Sequence, residues 1–347
     1  MTEDESRRGR IKCVVWDLDN TLWDGVLLEG DDCPLRPEMV EILHVLDGRG
    51  ILQSIASKND PDAAVHHLRE LNIEDMFLYP QISWGAKSEA VARITKALNI
   101  GLDAIAFVDD QEFERAEVAY AHPSVLCLDP SELVSALDDP EFNPRFVTQE
   151  SRQRRQLYRS QIAREEAERE FTGTNEEFLA SLKMTFTIRS ASRNDLQRAE
   201  ELTVRTNQLN STGRTYSYDE LDALRTSPDH LLLVAELEDR FGSYGTIGLA
   251  LVQLGIPYWH LKLLLMSCRT MSRGVGTILL NHIMARARSA GVRLRADFVE
   301  TGRNRMMQVT YAFAGFTEVT REGKYVLLES DLSNVQAPAP YVTVVVE

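Results

Sequence analysis

The chain has few cysteines and no long apolar run. Four of its 347 residues are cysteines, and they are scattered without paired spacing: Cys13, Cys33, Cys127 and Cys268. This scatter favours a reducing cytoplasm and argues against a disulfide framework. The segment 1–10 is polar and charged, without the apolar core of a signal peptide. Because no stretch approaches the roughly 20 apolar residues of a membrane span, the sequence predicts a cytoplasmic protein with no membrane partner.

Positive charge is also scarce. Asp and Glu number 53 against 38 Lys and Arg, which gives a formal net charge of −15. Nucleic acids bind basic surfaces, so this balance argues against a nucleic-acid partner. It does not argue against a phosphate substrate, because a metal ion and a few nearby basic side chains determine whether a phosphate binds. The length of 347 residues favours two domains, each able to bury its own core.

The most informative segment is an apolar run, Ile11–Trp16, followed by Asp17, Asp19 and Thr21. The run predicts a strand, so both carboxylates come just past its carboxyl end, where open α/β sheets bind ligands. There Asp17 is suited to attack a phosphoryl group and Asp19 to give and take protons. The simpler interpretation is a strand followed by an acidic turn. The threonine, which we also expect to bind the phosphate, and the later motifs favour the site.

Three later segments supply other groups that phosphoryl chemistry needs. Their polar residues are Ser57, Lys58, Asn59, Lys87, Asp109 and Asp110. The first three end an apolar run and suit a phosphate, and Lys87 opens a helical segment and adds a fixed positive charge. The last two end another apolar run. Carboxylates on adjacent strand ends are ligands that magnesium prefers, so Mg²⁺ is the predicted cofactor.

Strands and helices alternate through the first 140 residues. The predicted strands are 12–16, 51–56, 104–108 and 125–128, and the predicted helices are 37–48, 61–71 and 113–121. This alternation favours an α/β fold with a doubly wound, Rossmann-like parallel sheet. The connections after Asp19 and Ser57 leave no room for a large cap domain. A second domain or a large partner would therefore have to exclude water from the site.

A helical linker is expected from 142 to 182, and it is rich in arginine. Its arginines are Arg152, Arg154, Arg155, Arg159, Arg164 and Arg169. A solvated helix with i,i+4 ion pairs is slightly favoured over a basic face for a phosphate or an acidic partner. The predicted limits are 1–145 for the first domain, 146–183 for the linker, 184–335 for the second domain and 336–347 for a tail. The Val-rich end of the tail favours an edge strand or a partner contact.

The second domain is a mixed α/β unit. Its predicted strands are 186–188, 231–236, 246–254, 258–266, 293–299 and 324–329, and its predicted helices are 195–205, 275–289 and 304–313. A glycine-rich turn opens the middle helix and offers N–H groups to an anion; its residues are Arg269, Arg273, Gly274 and Gly276. This turn resembles the pyrophosphate-cradling turn of the GNAT acyltransferases. Met271 stands where they usually have Gln or Arg, which favours a pantetheine arm over ordinary CoA.

The motif order of the first domain resembles the haloacid dehalogenase (HAD) superfamily of phosphatases and phosphotransferases. The resemblance implies that Asp17 is the nucleophile and that Asp19 is the general acid and base, with its backbone carbonyl on the metal. It implies that Ser57 and Lys87 bind the transferring phosphoryl group. Asp17 is also an implied metal ligand, and the residues implied to complete the metal site are Asp109 and Asp110.

The two halves together resemble the FkbH family, HAD-like proteins of subclass IIIC with a GNAT-like domain. The matching segments are 16–23, 57–59, Trp84, 87–88, 108–110, 113–115, 206–210, 266–269, Asn304 and 315–316. The resemblance implies an enzyme that takes a glyceryl unit from 1,3-bisphosphoglycerate, removes phosphate and loads the unit as a thioester on an acyl carrier protein. The product would enter polyketide biosynthesis as methoxymalonyl-type or tetronate units. Leu209, Gly276 and Arg303 depart from the family's usual Phe, Glu and Lys.

Within this resemblance, Cys268 is the candidate thiol for acyl exchange. It follows a strand and precedes an anion-binding turn, and Arg269 beside it would lower the pKa of its thiol; the alternative is a small core residue. Amide side chains suited to glyceryl hydroxyls or to pantetheine are Asn207, Gln208, Asn210 and Asn304, with turn and cap chemistry as the alternative. Two other functions stay open: a magnesium-dependent phosphatase of a small metabolite, and a carrier-protein-binding scaffold. The full set of HAD motifs speaks against the scaffold.

Overall fold

The computed structural model describes residues 10–206 and 208–347, apart from the side chains of Cys268, Arg269 and Ser272. The chain divides into two compact units, with the boundary between Arg159 and Ser160. This boundary lies within the segment predicted as a linker. Among the described residues, no helix is both long enough and apolar enough to cross a membrane.

Unit 1 contains a five-stranded parallel sheet. Its strands are β1 (Cys13–Trp16), β2 (Leu52–Ser57), β3 (Gln81–Ile82), β4 (Ile105–Val108) and β5 (Leu126–Leu128). They lie in the order β3-β2-β1-β4-β5, so the predicted doubly wound α/β sheet is confirmed. β1 pairs with β2 and β4 and is buried throughout, as its unbroken apolar sequence requires. The strand order reverses between β1 and β4, which is the point at which such sheets bind ligands.

The helices of unit 1 flank this sheet, and their starts carry recognisable sequence signals. They are α1 (Pro37–Gly48), α2 (Pro61–Glu70), α3 (Lys87–Leu98), α4 (Glu112–Ala121), α5 (Pro130–Ala136) and α6 (Gln149–Arg152). Three of them begin with proline, whose missing N–H and fixed φ suit the first helical position. Asp60 caps the second by accepting a hydrogen bond from Ala63 N–H.

The helix α7 (Arg154–Glu170) contains the boundary between the units. In its unit 1 part, Arg155 binds Asp47 at 2.9 Å and Arg159 pairs with Asp75. In its unit 2 part, the buried Arg164 binds both oxygens of Asp239 at 2.8 and 2.9 Å. These arginines therefore pair with residues outside the helix, instead of forming the i,i+4 pairs expected from the sequence.

Unit 2 contains an eight-stranded mixed sheet. Its strands are β6 (Met184–Ser190), β7 (His230–Asp239), β8 (Gly242–Gln253), β9 (Tyr258–Met266), β10 (Arg293–Val299), β11 (Thr317–Glu322), β12 (Tyr325–Ser330) and β13 (Val342–Val346). They lie in the order β11-β12-β10-β9-β8-β7-β6-β13. The tail supplies β13, which pairs in parallel with β6 at the edge of the sheet.

The remaining helices cover both faces of this sheet. They are α8 (Asn175–Ser181), α9 (Leu196–Arg205), α10 (Tyr218–Thr226), α11 (Ile278–Ser289) and α12 (Arg305–Phe313). Apolar side chains of α8, α11 and α12 form one core with the sheet. Those of α9 and α10 form a second core. The predicted mixed α/β organisation of this half is thus confirmed.

The strands β9 and β10 pair in parallel only as far as Leu261 and Ala296. Beyond this point the chain around Ser211 lies between them. Ser211 donates its N–H to the carbonyl of Leu264 at 2.9 Å and accepts from Val299 N–H at 3.0 Å. The gap between the diverging strands is therefore bridged by backbone hydrogen bonds of the chain itself.

Candidate active site

Two strand ends and the start of helix α3 in unit 1 bring four charged side chains together, and we call this group the phosphoryl site: Asp17, Lys87, Asp109 and Asp110. Asp17 follows β1, and the two other carboxylates follow the adjacent strand β4. Asp17 N–H donates to the carbonyl of Val108 at 2.9 Å, which fixes the two strand ends side by side. The site thus lies where the strand order reverses.

Three carboxylates of the phosphoryl site are close enough to share a cation. Asp17, Asp109 and Asp110 each offer an oxygen, and these atoms lie within 4.8 Å of one another. Lys87 Nζ lies 3.1 Å from Asp17 and 2.5 Å from Asp109. Burial leaves Lys87 3% exposed, so its charge is held in place between two carboxylates. This all-oxygen donor set suits Mg²⁺.

The electrostatics of the site follow from burial and like charge. Burial raises the pKa of Asp17 to about 6, with Lys87 lowering it and Asp109 raising it. Burial also raises the pKa of Asp109 and of Asp110. Burial alone would lower the pKa of Lys87, but its two carboxylate neighbours outweigh burial and the net direction is upward. Lys87 is therefore positively charged. Its single charge does not fully offset the cost of ionising the three carboxylates of the site.

Two hydroxyl groups support the carboxylates. The Ser57 side chain, at the end of β2, hydrogen-bonds to Asp17. Thr21 Oγ1 accepts from the backbone N–H of Asp110 at 3.1 Å and lies 3.4 Å from its carboxylate. Both residues were expected to bind the substrate. The structure brings both to the site, and substrate contact stays a prediction.

Asp19 lies beside the phosphoryl site but its carboxylate is held by other groups. Trp23 Nε1 donates to it at 2.8 Å, Asn59 Nδ2 at 3.1 Å and Leu27 N–H at 3.2 Å. Asn59 was expected to bind phosphate; it donates to Asp19 here, and its phosphate contact stays a prediction. The predicted metal contact of Asp19 is through its backbone carbonyl, and this stays a prediction. Trp23 is a positioning residue that we did not predict.

Lys58, the middle residue of the Ser-Lys-Asn motif, is paired within the protein. Its ammonium lies 2.7 Å from Glu114 Oε1, and the Glu114 side chain is largely buried. Glu114 belongs to α4, whose N-cap residue, Gln111, directly follows Asp110. The predicted phosphate contact of Lys58 would therefore compete with this ion pair.

Four amide residues of unit 2 were predicted to bind substrate, and the structure describes three of them. Gln208 is exposed, and Asn207 lies outside the described residues. Asn304 Nδ2 donates to the carbonyls of Asn210 and Val299 at 3.0 and 2.8 Å, which is cap and turn chemistry. Asn210 is fully buried; its Oδ1 accepts from Gly213 N–H at 2.9 Å, while its Nδ2 has no partner among the described residues.

The glycine-rich turn precedes α11 as expected, although the helix begins at Ile278. The side chains of Cys268 and Arg269 lie outside the described part, so their predicted roles stay predictions. Arg273 was expected to meet an anion, but its guanidinium is buried and pairs with Glu168 at 3.0 Å. Gly274 has φ +70°, and a side chain there would strike the Tyr341 hydroxyl. Gly276 is exposed with open space around it.

Comparisons with known proteins give partial likenesses. No protein-family model and no curated protein matches the chain. The chain is similar to the N-terminal part of a Bacteroides fragilis protein containing a phosphatase domain complexed with Mg, at 30% identity and a TM-score of 0.32. That match covers 37% of this chain and 39% of the other, so the chain spans about two fifths of that structure.

Other solved structures are also similar to part of the chain. One is an alanine N-acetyltransferase of a ribosomal protein from Escherichia coli, at 17% identity and a TM-score of 0.35, covering 45% of this chain and 97% of that one. Another is an N-acetyltransferase from Thermoplasma acidophilum in complex with coenzyme A, at 17% identity and a TM-score of 0.34, covering 42% and 98%. These likenesses are distant, so the function of this chain must be argued from its own residues.

Proposed function

We propose that unit 1 is a magnesium-dependent phosphoryl-transfer centre of the HAD type. The observation that carries the proposal is the buried Lys87 between Asp17 and Asp109, beside a third carboxylate at the carboxyl ends of parallel strands. Three clustered carboxylates suit a cation and a phosphoryl group better than they suit a packed core, because their charges repel in a buried place.

The chemistry assigns one role to each side chain. Asp17 attacks the phosphorus atom, the bond from phosphorus to the ester oxygen breaks, and Asp19 gives a proton to the leaving alkoxide. Asp19 then takes a proton from water, which attacks the aspartyl phosphate and releases inorganic phosphate. Lys87 holds positive charge beside the transferring group. Magnesium, when bound, supplies further positive charge against the phosphoryl oxygens.

We further propose that the whole chain is a glyceryl transferase and phosphatase. It would take the acyl group of 1,3-bisphosphoglycerate, remove phosphate and load glycerate on an acyl carrier protein for polyketide biosynthesis. A thiol attacks the acyl phosphate, a thioester forms and phosphate leaves. The support is the set of residue matches to the FkbH family, including Cys268 two residues after the end of β9. The Cys33 and Cys127 thiols are poor alternatives because burial raises the pKa of each to about 11.

A plain phosphatase of a small phosphorylated metabolite is the second candidate. It is favoured by one observation: every residue of the phosphoryl site belongs to unit 1. Such an enzyme would release phosphate without any requirement for a carrier protein.

The first experiment combines Asp17→Asn with metal removal. We expect the variant to lose release of the ester phosphate at least roughly 10³-fold, since it lacks the nucleophile, while Asp62→Asn on the exposed side of α2 acts as the matched control. Chelation should stop release of the ester phosphate and magnesium should restore it, with calcium a poor substitute. Inorganic phosphate and the mass of an intact carrier protein are the two readouts.

Release of the ester phosphate by Asp17→Asn at the wild-type rate, or unchanged release of the ester phosphate in excess chelator, would refute the phosphoryl-transfer proposal. Phosphate release with no mass increase on any carrier protein would instead favour the plain phosphatase.

A further inference from the structure

The helix α12 leaves an apolar stripe uncovered. Met306, Val309 and Phe313 are 48%, 37% and 74% exposed, and their spacing of three and four residues puts them on one side of the helix. Met307 and Tyr311 on the other side are buried in the core of unit 2. The helix therefore has a complete inner face and an unpartnered outer face.

Positive charge borders the stripe at the start of α12. Arg303 and Arg305 are exposed and form no ion pair with any other described residue. The helix contains no Asp or Glu. The flanking acids, Glu300 and Glu318, are both paired with Arg321. The chain has a net charge of −15, so a surface that is locally basic and apolar stands out. We call Arg303 and Arg305 together with the apolar stripe the docking face.

Hydrogen bonds connect the start of α12 to the carboxyl end of β9. Asn304, directly before the helix, donates to the carbonyl of Asn210 at 3.0 Å. Asn210 in turn forms a β-bridge with Leu265 near the end of β9, and the segment containing Cys268 follows that strand. A protein bound at the docking face would thus lie beside the carboxyl end of β9, and Cys268 follows that strand two residues later in the chain.

We propose that the docking face binds an acidic amphipathic helix of the carrier protein, an inference that rests on the proposed glyceryl transfer. Carboxylates of such a helix match Arg303 and Arg305, and its apolar side matches the stripe, as in other helix-in-groove contacts. An anionic membrane would meet the same chemistry, but a surface of lipid brings no thiol to Cys268, and the net charge of the chain opposes it.

The test measures binding of a phosphopantetheinylated acyl carrier protein to the full chain by titration calorimetry. We expect R303E/R305E to raise the Kd at least about tenfold, because each reversal replaces an attraction with a repulsion. The matched control R286E/R288E makes the same charge change at exposed arginines of α11 and should stay within about twofold. Phe313→Ser should also weaken binding, whereas Tyr120→Ser, at a 90% exposed site of unit 1, should not.

Loading of free pantetheine separates this proposal from the proposed function. All four variants should load pantetheine at the wild-type rate, because a small thiol needs no docking face. If wild-type protein loads neither thiol, the proposed function fails, and the Kd values still decide the docking face. An unchanged Kd for R303E/R305E, or an equal loss in R286E/R288E, overturns it. The proposal is also overturned if Phe313→Ser changes only the oligomeric state and leaves carrier binding unchanged. It is likewise overturned if the protein binds anionic phospholipid vesicles more strongly than the carrier protein.

Discussion

At the scale of single residues, charge in the phosphoryl site is unbalanced. One ammonium, that of Lys87, faces the carboxylates of Asp17, Asp109 and Asp110. Burial makes each ionised carboxylate costly, and a like charge nearby adds to that cost. The arrangement is therefore more stable when a proton or a cation neutralises some of the negative charge.

The pH dependence of stability follows for Asp17→Asn in metal-free buffer. The carboxyl has an ordinary pKa of 3.8 and a pKa of about 6 when folded. Ionisation therefore costs more in the folded chain, and wild-type stability is lost as pH rises between these two values. The asparagine cannot ionise, so the Tm of the variant minus that of the wild type should increase from about pH 4 to about pH 7.

Thermal unfolding of both proteins in chelator, followed across this range, measures that difference. Magnesium should reduce the difference at neutral pH, because it would neutralise the wild-type carboxylates. A difference that does not change with pH would contradict the assignment of a raised pKa to Asp17.

At the scale of elements, hydrogen bonds to one aspartate connect three strands of unit 2. Asp297 of β10 lies 2.6 Å from His260 Nε2 and 2.7 Å from Lys262 Nζ, both on β9. It also accepts from the Tyr325 hydroxyl of β12 at 2.6 Å. Burial alone would raise the pKa of Asp297, but these hydrogen bonds outweigh burial and hold it at about 2. The carboxylate therefore stays ionised at neutral pH.

Asp297→Asn should lower the free energy of unfolding by about 1.5–3 kcal/mol, because hydrogen bonds to a charged group become hydrogen bonds to a neutral one and the Lys262 ammonium loses its counter-charge. Urea unfolding measures this change. Asp229→Asn, at an exposed position of the same unit, should change it by less than about 0.5 kcal/mol. Because the folded pKa is depressed, the effect of Asp297 should be fully present at neutral pH and disappear as pH falls toward 2. Equal urea midpoints for the two variants would contradict this role.

Most elements of the fold could be predicted, for reasons that particular strands make clear. β9 and β10 have the predicted bounds because polar and apolar residues alternate along β10 and along the first half of β9, and the turn-forming residues Pro257 and Gly291 come shortly before them. β11 was missed because all six of its residues are exposed, so no apolar alternation marks it. β3 was missed because it is two residues long.

The candidate site was predictable at the strand ends and less so in the loops. Asp17 and Asp109 each follow a buried strand of a parallel sheet. Parallel strands end at the same edge of the sheet, so the sequence could predict that these two carboxylates lie together. The contact of Trp23 with Asp19 depends on how the loop turns back, and Asn20 takes a positive φ of 53° there. Such a choice of left-handed conformation is not determined by residue type alone.

At the scale of the whole molecule, the two proposed chemistries belong to different units. The phosphoryl site lies entirely in unit 1, whereas Cys268 and the docking face belong to unit 2. Each reaction can therefore be removed by a change that leaves the other unit's residues intact.

Cys268→Ser should abolish loading of the carrier protein and leave phosphate release at the Asp17 site intact. A serine hydroxyl is a far weaker nucleophile than a thiolate at neutral pH. Intact-mass measurement should detect a glyceryl or phosphoglyceryl adduct on wild-type protein, which hydroxylamine should remove as it does a thioester. Cys127→Ser is the matched control and should load normally. Loading by Cys268→Ser at the wild-type rate would mean that the carrier thiol attacks the acyl phosphate directly.

The two edges of the unit 2 sheet differ in chemistry. β11 carries Glu318, Arg321 and Glu322 and is exposed along its whole length, whereas β13 has no charged residue and exposes Val345 and Val346. Charge on an edge strand opposes the addition of a foreign strand, and a run of bare β-branched residues does not. Of these two edges, aggregation of the folded protein by strand addition would start at β13.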